Sequence, residues 1–205
     1  MKRTIILEKH GRIAVLCLAN PPINCVNYRF LQDFEQVLDE IEQSEDIEVM
    51  VIASMNPKIF ATGRDERVPA CRLFDKEKLL NKVLERITAL SIPSISVING
   101  TAIGAGLEIA LVSDLRIASE FSKLGFYSDL HPTASGKKAL TEVSGPAKTK
   151  ELTWLGQLVE GQEALRIGLI NRLYPESHLM TEALGMALSI FQSKRNVTNL
   201  ELGQQ

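Results

Sequence analysis

The feature that most constrains this chain is an alternation between short apolar runs rich in β-branched residues and longer segments whose apolar residues recur at helical spacing. Glu48 to Ser54 (EVMVIAS) and Ser94 to Ile98 (SISVI) suit strands buried on both faces. Between them, about Asp75 to Leu90, the residues Leu79, Leu80, Val83, Leu84, Ile87 and Leu90 form one stripe, with Asp75 as N-cap and Pro93 as stop. Upstream, Tyr28 to Ser44 repeats the helical pattern through Phe30, Leu31, Phe34, Val37, Leu38 and Ile41. Strands alternating with amphipathic helices require a largely parallel sheet with helices packed on it, an α/β fold.

The rest of the chain fits that frame. Thr4 to Glu8 and Ile13 to Leu18 read as a hairpin around His10-Gly11-Arg12, and Asp114 to Ala118 (DLRIA) as a further strand. Asn56 to Asp65 reads as a turn-containing connection. The remainder is mainly helical, with helices at about Gly136 to Val143, Ala147 to Leu155, Gly161 to Ile167 and Leu179 to Gln192, and a short strand at Leu169 to Tyr174. Neither an internal repeat nor a Pro/Gly/Ser linker divides the chain, so one domain over residues 1–193 is expected. Residues 194–205 are expected to form a polar tail that is mobile or packs on a partner subunit.

Charge and cysteine usage remove several classes of function. Lys+Arg 23 against Asp+Glu 25 gives a net charge of -2, without the basic footprint of a nucleic-acid binder. Cys17, Cys25 and Cys71 have no metal-type spacing, which predicts no metal site and a reducing compartment. The first apolar run is too short for a signal segment, and nothing approaches the roughly 18 apolar residues of a membrane span. A cytoplasmic protein is the expectation.

Four segments, in this order and spacing, are specific together although each alone is weak. They are Asn20-Pro21-Pro22-Ile23-Asn24-Cys25-Val26-Asn27; Ile59-Phe60-Ala61-Thr62-Gly63-Arg64-Asp65; Asn99-Gly100-Thr101-Ala102-Ile103-Gly104-Ala105-Gly106-Leu107-Glu108; and Trp154-Leu155-Gly156 with Glu163-Ala164-Leu165-Arg166-Ile167-Gly168-Leu169-Ile170-Asn171. From about Ile5 to Ser189 the chain resembles the crotonase (enoyl-CoA hydratase/isomerase) superfamily. The resemblance implies a ββα spiral with a mainly helical C-terminal part, and an acyl thioester held with its carbonyl between two backbone N–H donors. Those donors map to Arg64 and Ala105. It further implies contacts to coenzyme A around Asn24, Cys25, Val26, Phe60, Ala61, Thr62, Gly63 and Gly104, with Lys58 and Arg29 as phosphate candidates. No cofactor is implied beyond the CoA of the substrate, and a trimer-based homo-oligomer is expected. Gly104-Ala105-Gly106 lacks G-x-G-x-x-G and is no nucleotide fingerprint; glycines here equally suit a helix packed closely on a strand.

Hydration of an enoyl thioester is served by two carboxyl groups, and the resemblance supplies one clearly. Glu108 falls at the first catalytic glutamate. At the second position this chain has Ser128, whose hydroxyl cannot take over acid–base work near neutral pH. Asp129 is the candidate replacement, with His131 and Tyr127 as alternatives, and the loop from Ser128 to Gly136 is shorter than the family pattern. A hydratase or isomerase is therefore expected, with hydration weak. A decarboxylase, a carrier-protein-linked enzyme or a non-catalytic binding partner on the same scaffold remain open.

Overall fold

The computed structural model describes residues 3–63, 73–127 and 131–202. Strands β1 (Ile5–His10) and β2 (Ile13–Leu18) form the antiparallel hairpin that opens the chain. Helix α1 (Tyr28–Glu42) follows, with Asn27 accepting the Phe30 N–H as its N-cap, and it buries the six apolar residues read from the sequence.

Three successive strand–strand–helix units come next. They are β3 (Val49–Ser54), β4 (Ile59–Thr62) and α2 (Leu73–Ala89); β5 (Ser94–Ile98), β6 (Thr101–Ile103) and α3 (Ala105–Leu111); and β7 (Leu115–Ser119), β8 (Lys123–Gly125) and α4 (Ala134–Leu155). The chain closes with β9 (Leu158–Glu160), α5 (Gly161–Arg166), β10 (Arg172–Tyr174) and α6 (Leu179–Leu202). The first strand of each unit joins a six-stranded sheet of order β1-β2-β3-β5-β7-β10, and the second joins a four-stranded sheet of order β4-β6-β8-β9. From β2 to β10 the larger sheet is parallel. This is a ββα spiral.

Both faces of the larger sheet are covered along β2 and β3, which is why these two strands are apolar at nearly every position. On β3, Met50 and Ile52 face the core shared with α1, α2 and α3, while Val49, Val51 and Ala53 face Leu179, Ala183 and Ala187 of α6. Phe30, Phe34, Phe60 and Phe126 are all fully buried in the first of these cores. The strand starts are held by carboxylates: Asp33 accepts from Thr4 N and Oγ1, and Asp114 from Ser94 N and Oγ.

The structure corrects the sequence reading at several points. β4 and β6 lie inside segments read as turns, because three or four residues are too few to show a period. α2 begins at Leu73, so Asp75 sits in its first turn and does not cap it. The two helices read at Gly136 to Val143 and Ala147 to Leu155 are the halves of α4, separated at Gly145 (φ 76, ψ 162) before Pro146. β10 is confined to Arg172–Tyr174. α6 continues past Gln192 to Leu202, through the segment read as a patternless tail, because no Gly or Pro interrupts Ser193 to Leu202.

One buried charge ties the spiral together. Arg116 on β7 donates from Nε to Leu169 O at 2.9 Å and from Nη1 to Leu111 O at 3.0 Å and to Ser113 O. Burial lowers its pKa, partly offset by Asp114. Arg116→Leu removes the donors of these buried carbonyls and is expected to cost about 2 kcal/mol, read as a lower urea midpoint. An unchanged midpoint would show that the carbonyls find other partners.

Candidate active site

β4, β6 and β8 run parallel and end side by side. Gly63 follows β4, Gly104 follows β6, and the Gly104 N–H donates to Gly125 O at the end of β8, 3.0 Å away. Crevices at the carboxyl ends of parallel strands are where open α/β sheets hold ligands. Here the crevice is a cavity of about 330 Å³. Gly63, Gly104, Ala105 and Glu108 form its sheet side; Lys76, Glu77 and Leu80 of α2, and His131 to Thr133 ahead of α4, form the remainder.

Glycine brings the two strand ends into contact. A Cβ on Gly63 would lie 2.6 Å from Ala105 N, and one on Gly106 would overlap the Ala61 carbonyl. Gly104 has φ 56 and ψ -127, a conformation open to glycine and strained for other residues. The chain thereby turns directly from β6 into α3, whose first-turn N–H groups have no acceptor within the helix. Ala105, the first residue of α3, presents its N–H beside Gly63.

Glu108 is the buried carboxyl of the cavity, 3% exposed in the first turn of α3. Its Oε2 accepts from Thr133 N at 2.9 Å and Thr133 Oγ1 at 2.5 Å. Burial pushes its pKa above the ordinary carboxylate range; the two Thr133 bonds hold it down, Glu77 pushes it further up and Lys76 holds it down. The folded protein thus binds this proton more tightly than the unfolded chain. Stability accordingly falls as pH rises from the ordinary carboxylate range through the raised value, and the cost is complete above it. Glu108→Gln is expected to be more stable than the wild type at pH 8 and equal to it at acid pH. Thermal melts across pH check this, and a uniform offset at every pH would contradict it.

The remaining candidates divide into cavity, scaffold and surface. His131 lines the cavity. Tyr127 is 49% exposed after β8. Asn24, at φ 47 and 1% exposed, wires the segment before α1 to β4: its Nδ2 donates to Leu18 O, Ser54 Oγ and Phe60 O, and its Oδ1 accepts from Asn20 N. Cys25 forms a parallel bridge with Thr62, and Val26 N donates to Thr62 O at 2.8 Å. Phe60 and Ala61 are fully buried. Lys58 is exposed at the start of β4, and Arg29 lies 3.9 Å from Asp33. Arg64, Ser128 and Asp129 lie outside the described residues, as does Cys71. Burial pushes the Cys17 thiol up to about 11, away from nucleophile chemistry. Among the described residues no group of three His, Cys, Asp or Glu could hold a metal ion, and no helix is long and apolar enough to cross a membrane.

Lys76, Glu77 and Thr133 are cavity residues that sequence reasoning did not single out. Lys76 donates from Nζ to Gly63 O at 2.7 Å. Glu77 also lines a neighbouring groove of about 760 Å³ between Tyr28, α2 and Ala134, which is larger but holds no buried acid–base group. For Thr133 a signal existed: Thr133-Ala134-Ser135-Gly136 opens a helix with a threonine, a favoured N-cap.

A ββα spiral with two glycine-containing strand ends and a buried glutamate between them defines a crotonase-fold protein. Residues 8–201 match the family described as Enoyl-CoA hydratase/isomerase. A short-chain-enoyl-CoA hydratase of Clostridium acetobutylicum is 32% identical over 194 residues, covering 91% of this chain and 74% of that protein. A crotonyl-CoA hydratase of Syntrophomonas wolfei is 29% identical, covering 89% of this chain and 74% of its own length. Among solved structures, Pseudomonas aeruginosa DspI superposes with a TM-score of 0.88 at 27% identity, over 93% of this chain and 81% of that one. An enoyl-CoA hydratase from Bacillus anthracis gives 0.87 at 25% identity, over 91% and 76%. The chain belongs to the enoyl-CoA hydratase/isomerase family.

Proposed function

We propose that this protein binds an acyl-CoA thioester in the Glu108 cavity and moves a proton at the carbon beside the thioester carbonyl, isomerising a 3-enoyl to a 2-enoyl thioester. The observation that carries this reading is the buried Glu108 carboxyl set beside Gly63 at the end of β4 and Ala105 at the start of α3. An acidified Cα–H needs its developing oxyanion stabilised by donors already in place. The backbone N–H groups of Arg64 and Ala105 are assigned that role. One carboxyl then accepts the proton from one carbon and returns it to another.

CoA itself is assigned to the surface of the Asn24 to Val26 segment and the Phe60 to Gly63 strand end, joined through the Cys25–Thr62 bridge. No cofactor is required for this chemistry, and a cytoplasmic setting suits it. The protein is expected to assemble as a homo-oligomer, which the exposed Phe121, Trp154 and Leu155 support.

A second reading, hydration, is favoured by one observation: Glu77 brings another carboxylate to the same cavity. Asp129, from the sequence, is the other candidate for that role. The two readings part on substrate. Assays with matched 2-enoyl- and 3-enoyl-CoA thioesters should show faster conversion of the 3-enoyl form and one CoA site per chain by calorimetry. Faster water addition to the 2-enoyl form would select hydration, and no binding of any thioester would end both.

A further inference from the structure

Glu108 is held by a residue outside its own strand–strand–helix unit. Thr133, 5% exposed, directs both its N–H and its Oγ1–H to Oε2 of Glu108, at 2.9 and 2.5 Å. The same Oγ1 accepts the Gly136 N–H at 3.1 Å and so caps α4. A hydroxyl has one proton and two acceptor lone pairs, so it can donate to Glu108 while accepting from Gly136. Gly136 closes the other side, where any Cβ would overlap Oε2 and the atoms behind it. The carboxyl is therefore wedged against the first turn of α4, and its two oxygens are unequal: Oε2 is committed to Thr133.

We propose that Thr133 is a positioning residue that holds Glu108 so that Oε1, and not Oε2, exchanges the substrate's proton. The inference rests on Glu108 being the proton-transfer group. An oxygen already accepting two short hydrogen bonds is the poorer base, so the oxygen turned away from Thr133 is the one left to take the proton. In the isomerisation the Cα–H bond breaks, its electron pair delocalises onto the thioester oxygen, and the proton bonds to Oε1. The O–H bond then breaks, the proton goes to Cγ, and the carboxylate is restored. Thr133 takes no proton at any stage.

The same bonds tune when Glu108 is charged. They favour the carboxylate against the effect of burial. Among the described residues, the other ionisable groups facing the cavity are Lys76 and Glu77 from α2 and His131 from the segment leading into α4. Removing the Oγ1 donor leaves these in place, so a change in titration reports on Thr133.

The test compares Thr133→Val, Thr133→Ser and Thr133→Gly with the wild type. Valine lacks donor and cap; glycine lacks the hydroxyl, adds no charge and is tolerated at an N-cap; serine keeps both functions. kcat on a 3-enoyl-CoA is expected to fall about tenfold in the valine and glycine variants with KM nearly unchanged, since a hydrogen bond to a charged group is worth about that factor. The acid limb of the kcat profile is expected to move to higher pH in both, and serine to restore rate and limb together. A ¹³C NMR titration of the Glu108 carboxyl, assigned by its loss in Glu108→Gln, should move the same way without any turnover. An unchanged limb and titration in folded Thr133→Gly would overturn the proposal, as would failure of serine to restore them. Should the wild type turn over no thioester, the proposed reaction fails while the titration still decides the role of Thr133.

Discussion

Glu108→Gln is expected to lower turnover of a 3-enoyl-CoA by roughly 10²–10⁴-fold, the usual cost of losing a general acid or base. Glutamine has nearly the shape of glutamate, and its amide oxygen can still accept from the Thr133 N–H and Oγ1–H, so the cavity keeps its form. What it lacks is an oxygen able to take a proton near neutral pH. Substrate affinity should stay close to that of the wild type, because the groups assigned to the thioester carbonyl are backbone N–H groups of Arg64 and Ala105. The loss should therefore appear in kcat and leave KM nearly alone. Glu77→Gln is the natural companion: a small effect keeps Glu108 as the sole proton carrier, whereas equal losses in the two variants would make the carboxylates a working pair. Wild-type activity in Glu108→Gln would place the chemistry elsewhere.

Gly106→Ala is expected to be among the most damaging single-methyl changes to stability, costing about 3 kcal/mol or more. The added Cβ would overlap the carbonyl of Ala61, a backbone group in β4 that cannot swing aside. Relief requires α3 to move away from β4. That movement would separate Ala105 from Gly63 as well, so thioester binding should weaken along with folding. Urea unfolding and CoA calorimetry on the same sample would measure both losses. A variant as stable as the wild type would mean that the β4–α3 contact is looser than the structure shows. Gly11 is the control, since nothing lies within 4 Å of a Cβ there, although its φ of 61 carries a conformational cost of its own.

The long elements were legible in the sequence because packing imposes a period on them. α1 buries Phe30, Leu31, Phe34, Val37, Leu38 and Ile41, the residues its helical spacing selects. β3 is a nearly continuous apolar run, and β5 a buried one broken only by Ser94 and Ser96, because both of their faces are covered. The smaller sheet was hidden because β4, β6, β8 and β9 span only three or four residues each. At the site, Glu108 and the two glycine segments could be read from motif spacing. Lys76 and Glu77 could not: on α2 they look like ordinary solvated charges, and only the packing of that helix over Gly63 and Ala105 turns them toward the cavity. Thr133 carried a capping signal, but its bond to Glu108 spans 25 residues of sequence that no local pattern encodes.

The site is divided among consecutive turns of the spiral: Gly63 follows the second strand of the first unit, Gly104 and Glu108 belong to the second, and Thr133 opens the helix of the third. No single unit contains a working arrangement. Contacts between groups so far apart in sequence form late in folding, after the entropy of closing the intervening loops has been met. A nascent chain with two units formed would carry Glu108 without the residue that orients it. On the proposed mechanism, catalytic competence would then await completion of the third turn.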